Sequence, residues 1–107
     1  MTEPLKLGIA GLGTVGSALG NFLDERADML AQICGRAIRV TDVTARDRNK
    51  DRGFPLDDVT WHESADALAE NGEIDVYVEL MGGDGDPALS SVKLALSRGI
   101  HVVTEPV

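Results

Sequence analysis

Three glycines spaced Gly11-x-Gly13-x-x-Gly16 follow directly on an apolar run, Leu5-Lys6-Leu7-Gly8-Ile9-Ala10. That spacing suits a chain that must hold the pyrophosphate of a dinucleotide. The first glycine permits a tight turn out of a strand. The second lacks a Cβ, so a phosphate can reach the backbone. The third lets a helix pack closely on the strand. The first-turn N–H groups of that helix have no partner within it and point at the anion. A glycine-rich turn can also be purely structural. Here the strand precedes at once and an amphipathic pattern follows at once, which favours the phosphate reading. Gly11, Leu12, Gly13, Thr14, Val15 and Gly16 are the candidate pyrophosphate-binding residues.

A second group of side chains would choose between cofactors. Where the second strand-like segment ends, the chain reads Arg46-Asp47-Arg48-Asn49-Lys50-Asp51-Arg52, a window of net charge +2 in a chain whose other residues sum to −10. In dinucleotide folds this position meets the adenosine ribose. An acid there binds a free 2′-hydroxyl, and an arginine accommodates a 2′-phosphate. A run of alternating charges is most often a solvated loop. Its place favours NADP, with Arg46 the main ligand because a guanidinium chelates phosphate and stacks on adenine. Arg48 and Lys50 support it. Asp47 leaves NAD open, and Asp42 lies too early in the strand for either role.

Other polar residues point to less. His62, beside Trp61, reads as a satisfied surface histidine, and His101 opens strand five at the edge opposite the cofactor. Neither has partners at metal-ligand spacing, so no metal site is expected. Glu79 reads equally as a neighbour of the cleft or as a hydrogen-bonded structural carboxylate. No Ser-His-Asp or Cys-His arrangement is present. Cys34, the single cysteine, falls on the apolar side of the first helix and reads as a buried structural thiol. A lone thiol builds no disulfide framework.

The elements that must position these residues alternate strand and helix, the pattern of a parallel sheet with crossover helices. Strand one is expected at Leu5 to Ala10. One helix follows from Thr14, with apolar residues at helical spacing from Val15 to Cys34 and an ending cap at Gly35. Strand two spans Ala37 to Ala45, and a short third strand lies at Val59 to Trp61. Ser64 caps a helix over Ala65 to Glu70, and strand four covers Asp75 to Leu80. Asp86 and Pro87 start a helix that runs to Ser97 or Arg98. Gly99 stops it, and strand five is Ile100 to Thr104. The right-handed crossover rule gives an α/β fold, a doubly wound parallel sheet of the Rossmann type in three αβα layers with strand order 3-2-1-4-5. The glycine turn and the Met81-Gly82-Gly83 loop should then face each other across the switch point.

The 107 residues make one domain. With 43% hydrophobic and 26% charged residues the composition is that of an ordinary globular protein. A net charge of −8 argues against nucleic acid or an anionic membrane as partner. No apolar stretch is long enough to span a bilayer, and Met1-Thr2-Glu3-Pro4 has no basic leader, so a cytoplasmic location is expected.

Four stretches resemble homoserine dehydrogenase: Gly8-Ile9-Ala10-Gly11-Leu12-Gly13-Thr14-Val15-Gly16, Ala45-Arg46-Asp47, Val78-Glu79-Leu80-Met81-Gly82-Gly83 with Asp86-Pro87-Ala88, and His101-Val102-Val103-Thr104. The resemblance implies NAD(P)-dependent interconversion of homoserine and aspartate 4-semialdehyde, in the route to threonine and methionine. It implies that Gly11, Gly13, Thr14, Val15 and Gly16 hold the pyrophosphate and Arg46 meets the 2′-phosphate. Leu80, Met81 and Gly82 would line the nicotinamide ribose side, with Gly83 beside them and Thr104 at the end of strand five. The family continues that strand with Thr-Ala-Asn-Lys, whereas here Thr104 precedes Glu105-Pro106-Val107. Residues 1–107 are therefore expected to be an NAD(P)-binding domain whose substrate and catalytic domain lies outside this sequence. No catalytic residue is assigned, and uncovered apolar surface points to a homo-oligomer. Two alternatives stand beside this reading. Thr104-Glu105-Pro106 faintly echoes the glucose-fructose oxidoreductase-like family. The fold also serves non-catalytic nucleotide sensors.

Overall fold

The computed structural model describes residues 3–46, 53, 56–81 and 88–104. Its elements run β1 (Leu5–Ala10), α1 (Thr14–Glu25), α2 (Ala27–Cys34), β2 (Ile38–Thr44), β3 (Thr60–Trp61), α3 (Ala65–Asn71), β4 (Val76–Glu79), α4 (Ala88–Ser97) and β5 (His101–Thr104). The five strands form one parallel sheet in the order β3-β2-β1-β4-β5, as the alternation predicts. The strand ends are trimmed by a residue or so against expectation. The Asp86–Pro87 helix start lies outside the described residues.

Alternation along the strands sends successive side chains to opposite faces, and each face has its own core. Ala10 and Tyr77 pack under α3 and α4 with Leu68, Ala69, Ile74 and Ala95. Ile9, Val43 and Val78 pack on the other face with Leu12 and, from α1, Leu19. The β1–β2 register slips between Leu7 and Gly8: Leu7 pairs with Val40, but Gly8 pairs with Asp42. Thr41 is the extra residue of this bulge. It brings Val40 and Val43, three apart, onto the same apolar face and sends Asp42 to the other. There a Cβ on Gly8 would fall 2.7 Å from Ile74 and 2.8 Å from Leu68, so the missing side chain is what lets α3 settle on β1.

Two caps hold α3. The Ser64 hydroxyl accepts the Ala67 N–H at 3.1 Å, as the sequence predicts. At the other end the Arg98 guanidinium donates to the carbonyls of Ala69 (2.7 Å) and Gly72 (3.0 Å), which the helix leaves without partners.

The first helix differs from expectation. It breaks at Arg26, whose φ of −112° and ψ of 21° leave the helical region, with no side-chain bond at the break. Periodicity misses the break because both segments are helical and Arg26 still bonds to Phe22 and Leu30 through its backbone. Gly35 ends α2 in the left-handed conformation (φ 77°), as predicted. None of α2 is buried. Cys34 is consequently exposed rather than a core thiol, alongside Met29 and Ile33. No helix among the described residues is long and apolar enough to cross a membrane.

Candidate functional site

The glycine turn is stitched to both neighbouring strands. Leu80 N–H donates to the Ala10 carbonyl (2.8 Å), and Gly11 N–H donates to the Thr44 carbonyl (2.9 Å). Gly11 takes a φ of +99°, and a Cβ there would lie 2.8 Å from the Leu80 carbonyl oxygen and 3.1 Å from the Met81 nitrogen. A Cβ on Gly16 would run into the Gly11 carbonyl. Two of the three glycines are thus required by close backbone contact. Gly13 is different: among the described residues nothing lies within 4 Å of the position its Cβ would take. It is the residue that opens α1, whose first bond runs from Ser17 N–H to Gly13 carbonyl at 2.9 Å.

Around that opening, Thr14 and Val15 are exposed and Gly16 is buried. The helix has no acidic residue in its first turn, so no carboxylate of its own offsets the positive end of its dipole. Leu12 is 2% exposed and packs in the core, so only its backbone is available to the site. Ser17, which the sequence did not single out, donates its hydroxyl to the Leu12 carbonyl at 2.8 Å and braces the turn. Asn21 Nδ2 in turn donates to the Ser17 carbonyl at 2.8 Å.

The opposite rim is built by β4 and β5. Leu80 and Met81 are half-buried against Gly11, so the described part of the loop does face the glycine turn. Glu79, at the end of β4, is 3% exposed. Its Oε2 accepts the Met81 N–H at 2.7 Å, and its Oε1 accepts the Thr104 hydroxyl at 2.6 Å. Gly82 and Gly83 lie outside the described residues.

Arg46 is exposed, two residues beyond the end of β2, and that end is bonded to Gly11 through Thr44. Arg46 has no ion-pair partner among the described residues. Arg48 and Lys50 lie outside them. Asp42 is remote from this rim, as expected, but its use is specific. Its Oδ1 accepts the Thr41 hydroxyl at 2.7 Å, and its Oδ2 meets His62 Nε2 at 2.7 Å. His62 is satisfied as predicted, yet not at the surface: its side chain is 11% exposed. The bulge and the β2–β3 pairing bring the two together, and neither is visible in local sequence. His101 is exposed at the start of β5, at the far end of the strands. A groove of about 400 Å³ lies between α1 and the first half of β2, lined by Asp24, Arg39, Asp57 and Asp58 among others. It is not the glycine cleft.

A family model described as the homoserine dehydrogenase NAD-binding domain matches residues 11–107. The chain belongs to the homoserine dehydrogenase family. A homoserine dehydrogenase of Pseudomonas aeruginosa is 41% identical over 104 residues, which cover 95% of this chain and 23% of the relative. One from Helicobacter pylori is 36% identical over 93 residues, 87% of this chain and 21% of the relative. Among solved structures, the Thiobacillus denitrificans homoserine dehydrogenase superposes with a TM-score of 0.81 at 34% identity, over 94% of this chain and 23% of that one. An NAD-binding oxidoreductase of Klebsiella pneumoniae, at 17% identity and a TM-score of 0.69, shares the fold alone. The chain spans less than a quarter of the two homoserine dehydrogenases it is compared with by sequence.

The homoserine dehydrogenase domain so identified is the part that takes a nicotinamide dinucleotide, and its residues fit that ligand. Among the described residues the space beside Gly13 is open, it lies at the N-terminus of α1, and no first-turn carboxylate repels an anion.

Proposed function

We propose that residues 1–107 bind NADP(H) in preference to NAD(H), as the cofactor domain of a homoserine dehydrogenase that interconverts L-homoserine and aspartate 4-semialdehyde. In this reading the pyrophosphate lies on the backbone of Gly11 to Gly16, over the open face of Gly13. Arg46, with Arg48 and Lys50, receives the 2′-phosphate. Leu80, Met81, Gly82 and Gly83, with Thr104, border the nicotinamide ribose. The nicotinamide, when bound, supplies the hydride exchanged with the substrate. This chain's residues bind and orient it, and the acid–base groups and the substrate belong to a further domain. The observation that carries the reading is the space at Gly13, unfilled among the described residues and lying at the α1 N-terminus, two residues on from Gly11, which rests against the Leu80–Met81 peptide.

Titration of the chain with NADPH and NADH, followed by fluorescence of its sole tryptophan, Trp61, and by melting temperature, tests it. Saturable binding and a raised Tm are expected with both, tighter with NADPH. Absence of both responses to either dinucleotide would refute the reading. The exposed apolar side chains of α2 and α4, Met29, Ile33, Leu89 and Leu96, support self-association, which sedimentation across a concentration range checks.

A further inference from the structure

A buried carboxylate in a largely apolar strand is costly unless its oxygens are hydrogen-bonded. Glu79 meets that requirement with donors from two different segments. Met81 N–H lies two residues on in the β4 turn, and the Thr104 hydroxyl closes β5. In the sheet Glu79 stands between Ala10 on β1 and Thr104 on β5. One side chain therefore joins the ends of β4 and β5 just where β1 gives way to the glycine turn. Among the described residues no cation pairs with it. The Leu80–Met81 peptide that Glu79 holds by its N–H is the one that rests against Gly11.

We infer that Glu79 is a positioning residue for the nicotinamide half of the bound cofactor. It acts by fixing the Leu80–Met81 peptide and the Thr104 hydroxyl, and it does not touch the reacting atoms. This rests on the proposal that those residues border the nicotinamide ribose. The glycine turn and Arg46 serve the other half of the ligand, so loss of Glu79 should damage one half of recognition and spare the other.

The test compares NADPH with adenosine 2′,5′-bisphosphate, which carries only the adenosine side, by calorimetric titration of the chain. Glu79→Met removes both acceptors at similar length. It should weaken NADPH about tenfold and leave the bisphosphate within about twofold. Glu79→Gln keeps an acceptor for Met81 N–H and an amide that Thr104 can accept from, and should restore most of the NADPH affinity. Glu79→Asp, which keeps the charge but shortens the reach, gives an intermediate NADPH-selective loss and serves if the Met variant does not fold. Equal weakening of both ligands would show a merely structural role and overturn the inference. So would unchanged NADPH binding in both the Met and Asp variants. A wild-type chain that binds neither ligand would instead refute the cofactor reading, and this inference with it.

Discussion

Gly11 and Leu80, from opposite sides of the switch point, are in backbone contact: a methyl group on Gly11 would fall 2.8 Å from the Leu80 carbonyl oxygen. The two rims of the cleft are thus held at a separation that only glycine permits. The first and second glycines of the turn stand in different surroundings, one against backbone and one beside open space among the described residues, and substitution separates them.

Gly11→Ala meets both the Leu80 carbonyl and a φ of +99°, which an alanine adopts only with strain. A loss of about 1–3 kcal/mol is expected, visible as a lower urea midpoint, together with loss of dinucleotide binding. Gly13→Ala meets nothing within 4 Å among the described residues. Its stability should change by no more than about 0.5 kcal/mol, while NADPH binding falls at least roughly tenfold because the methyl occupies the phosphate's approach. A Gly13→Ala chain that melts normally and binds normally would remove the pyrophosphate from this turn.

Arg46→Ala tests the choice of cofactor. Loss of a charge-assisted contact of about 1.5–3 kcal/mol corresponds to roughly a tenfold to hundredfold weaker NADPH. NADH affinity should stay nearly unchanged. Parallel titrations of the two dinucleotides decide it, and equal effects on both would deny Arg46 its phosphate.

Asp42 and His62 meet at 2.7 Å with both side chains about nine-tenths buried, and we expect the pair to support the fold. Asp42→Ala strands both the His62 ring and the Thr41 hydroxyl and should destabilise the chain by about 1–3 kcal/mol. NADPH affinity, measured below the unfolding transition, should be retained. Loss of affinity without loss of stability would mean that Asp42 reaches the ribose after all.

Tyr77 links stability to pH at the alkaline end. It is fully buried and donates to Ser91 Oγ at 2.7 Å. Burial is the main cause that pushes its pKa up from 10.0 to about 12, with the Ser91 bond pulling the other way and the charges of Glu79 and Asp66 adding a little. The folded state therefore favours the neutral phenol. Its contribution is fully present below pH 10 and is lost as pH rises from 10 through about 12. Tyr77→Phe should lower stability near neutrality by about 0.5–1.5 kcal/mol and flatten the fall in Tm above pH 10. Tyr77 is the only tyrosine, so tyrosinate absorbance follows the same event directly.

Much of this architecture was legible in sequence. β1 occupies Leu5–Ala10 as its apolar run implies, and the strand order follows from alternation plus crossover handedness. The Ser64 and Gly35 caps were readable because capping chemistry is local. The break at Arg26 was not, because helical periodicity records which face is apolar and not whether the axis continues. Cys34 followed that error out to solvent.

The candidate site divides the same way. Residues 11–16 carry a pattern within one turn, and the basic residues from Arg46 to Arg52 follow one another in the chain, so short-range spacing alone discloses them. Nothing local says that Thr41 bulges, that Asp42 thereby meets His62 twenty residues away, or that Glu79 spans to Thr104 across twenty-five. Glu79 in sequence was an acid in an apolar strand with two equal readings. Its partners are donors on separate segments, brought together by the pairing of β4 with β5. A hydrogen bond depends on distance in space, and folding sets that distance independently of separation along the chain.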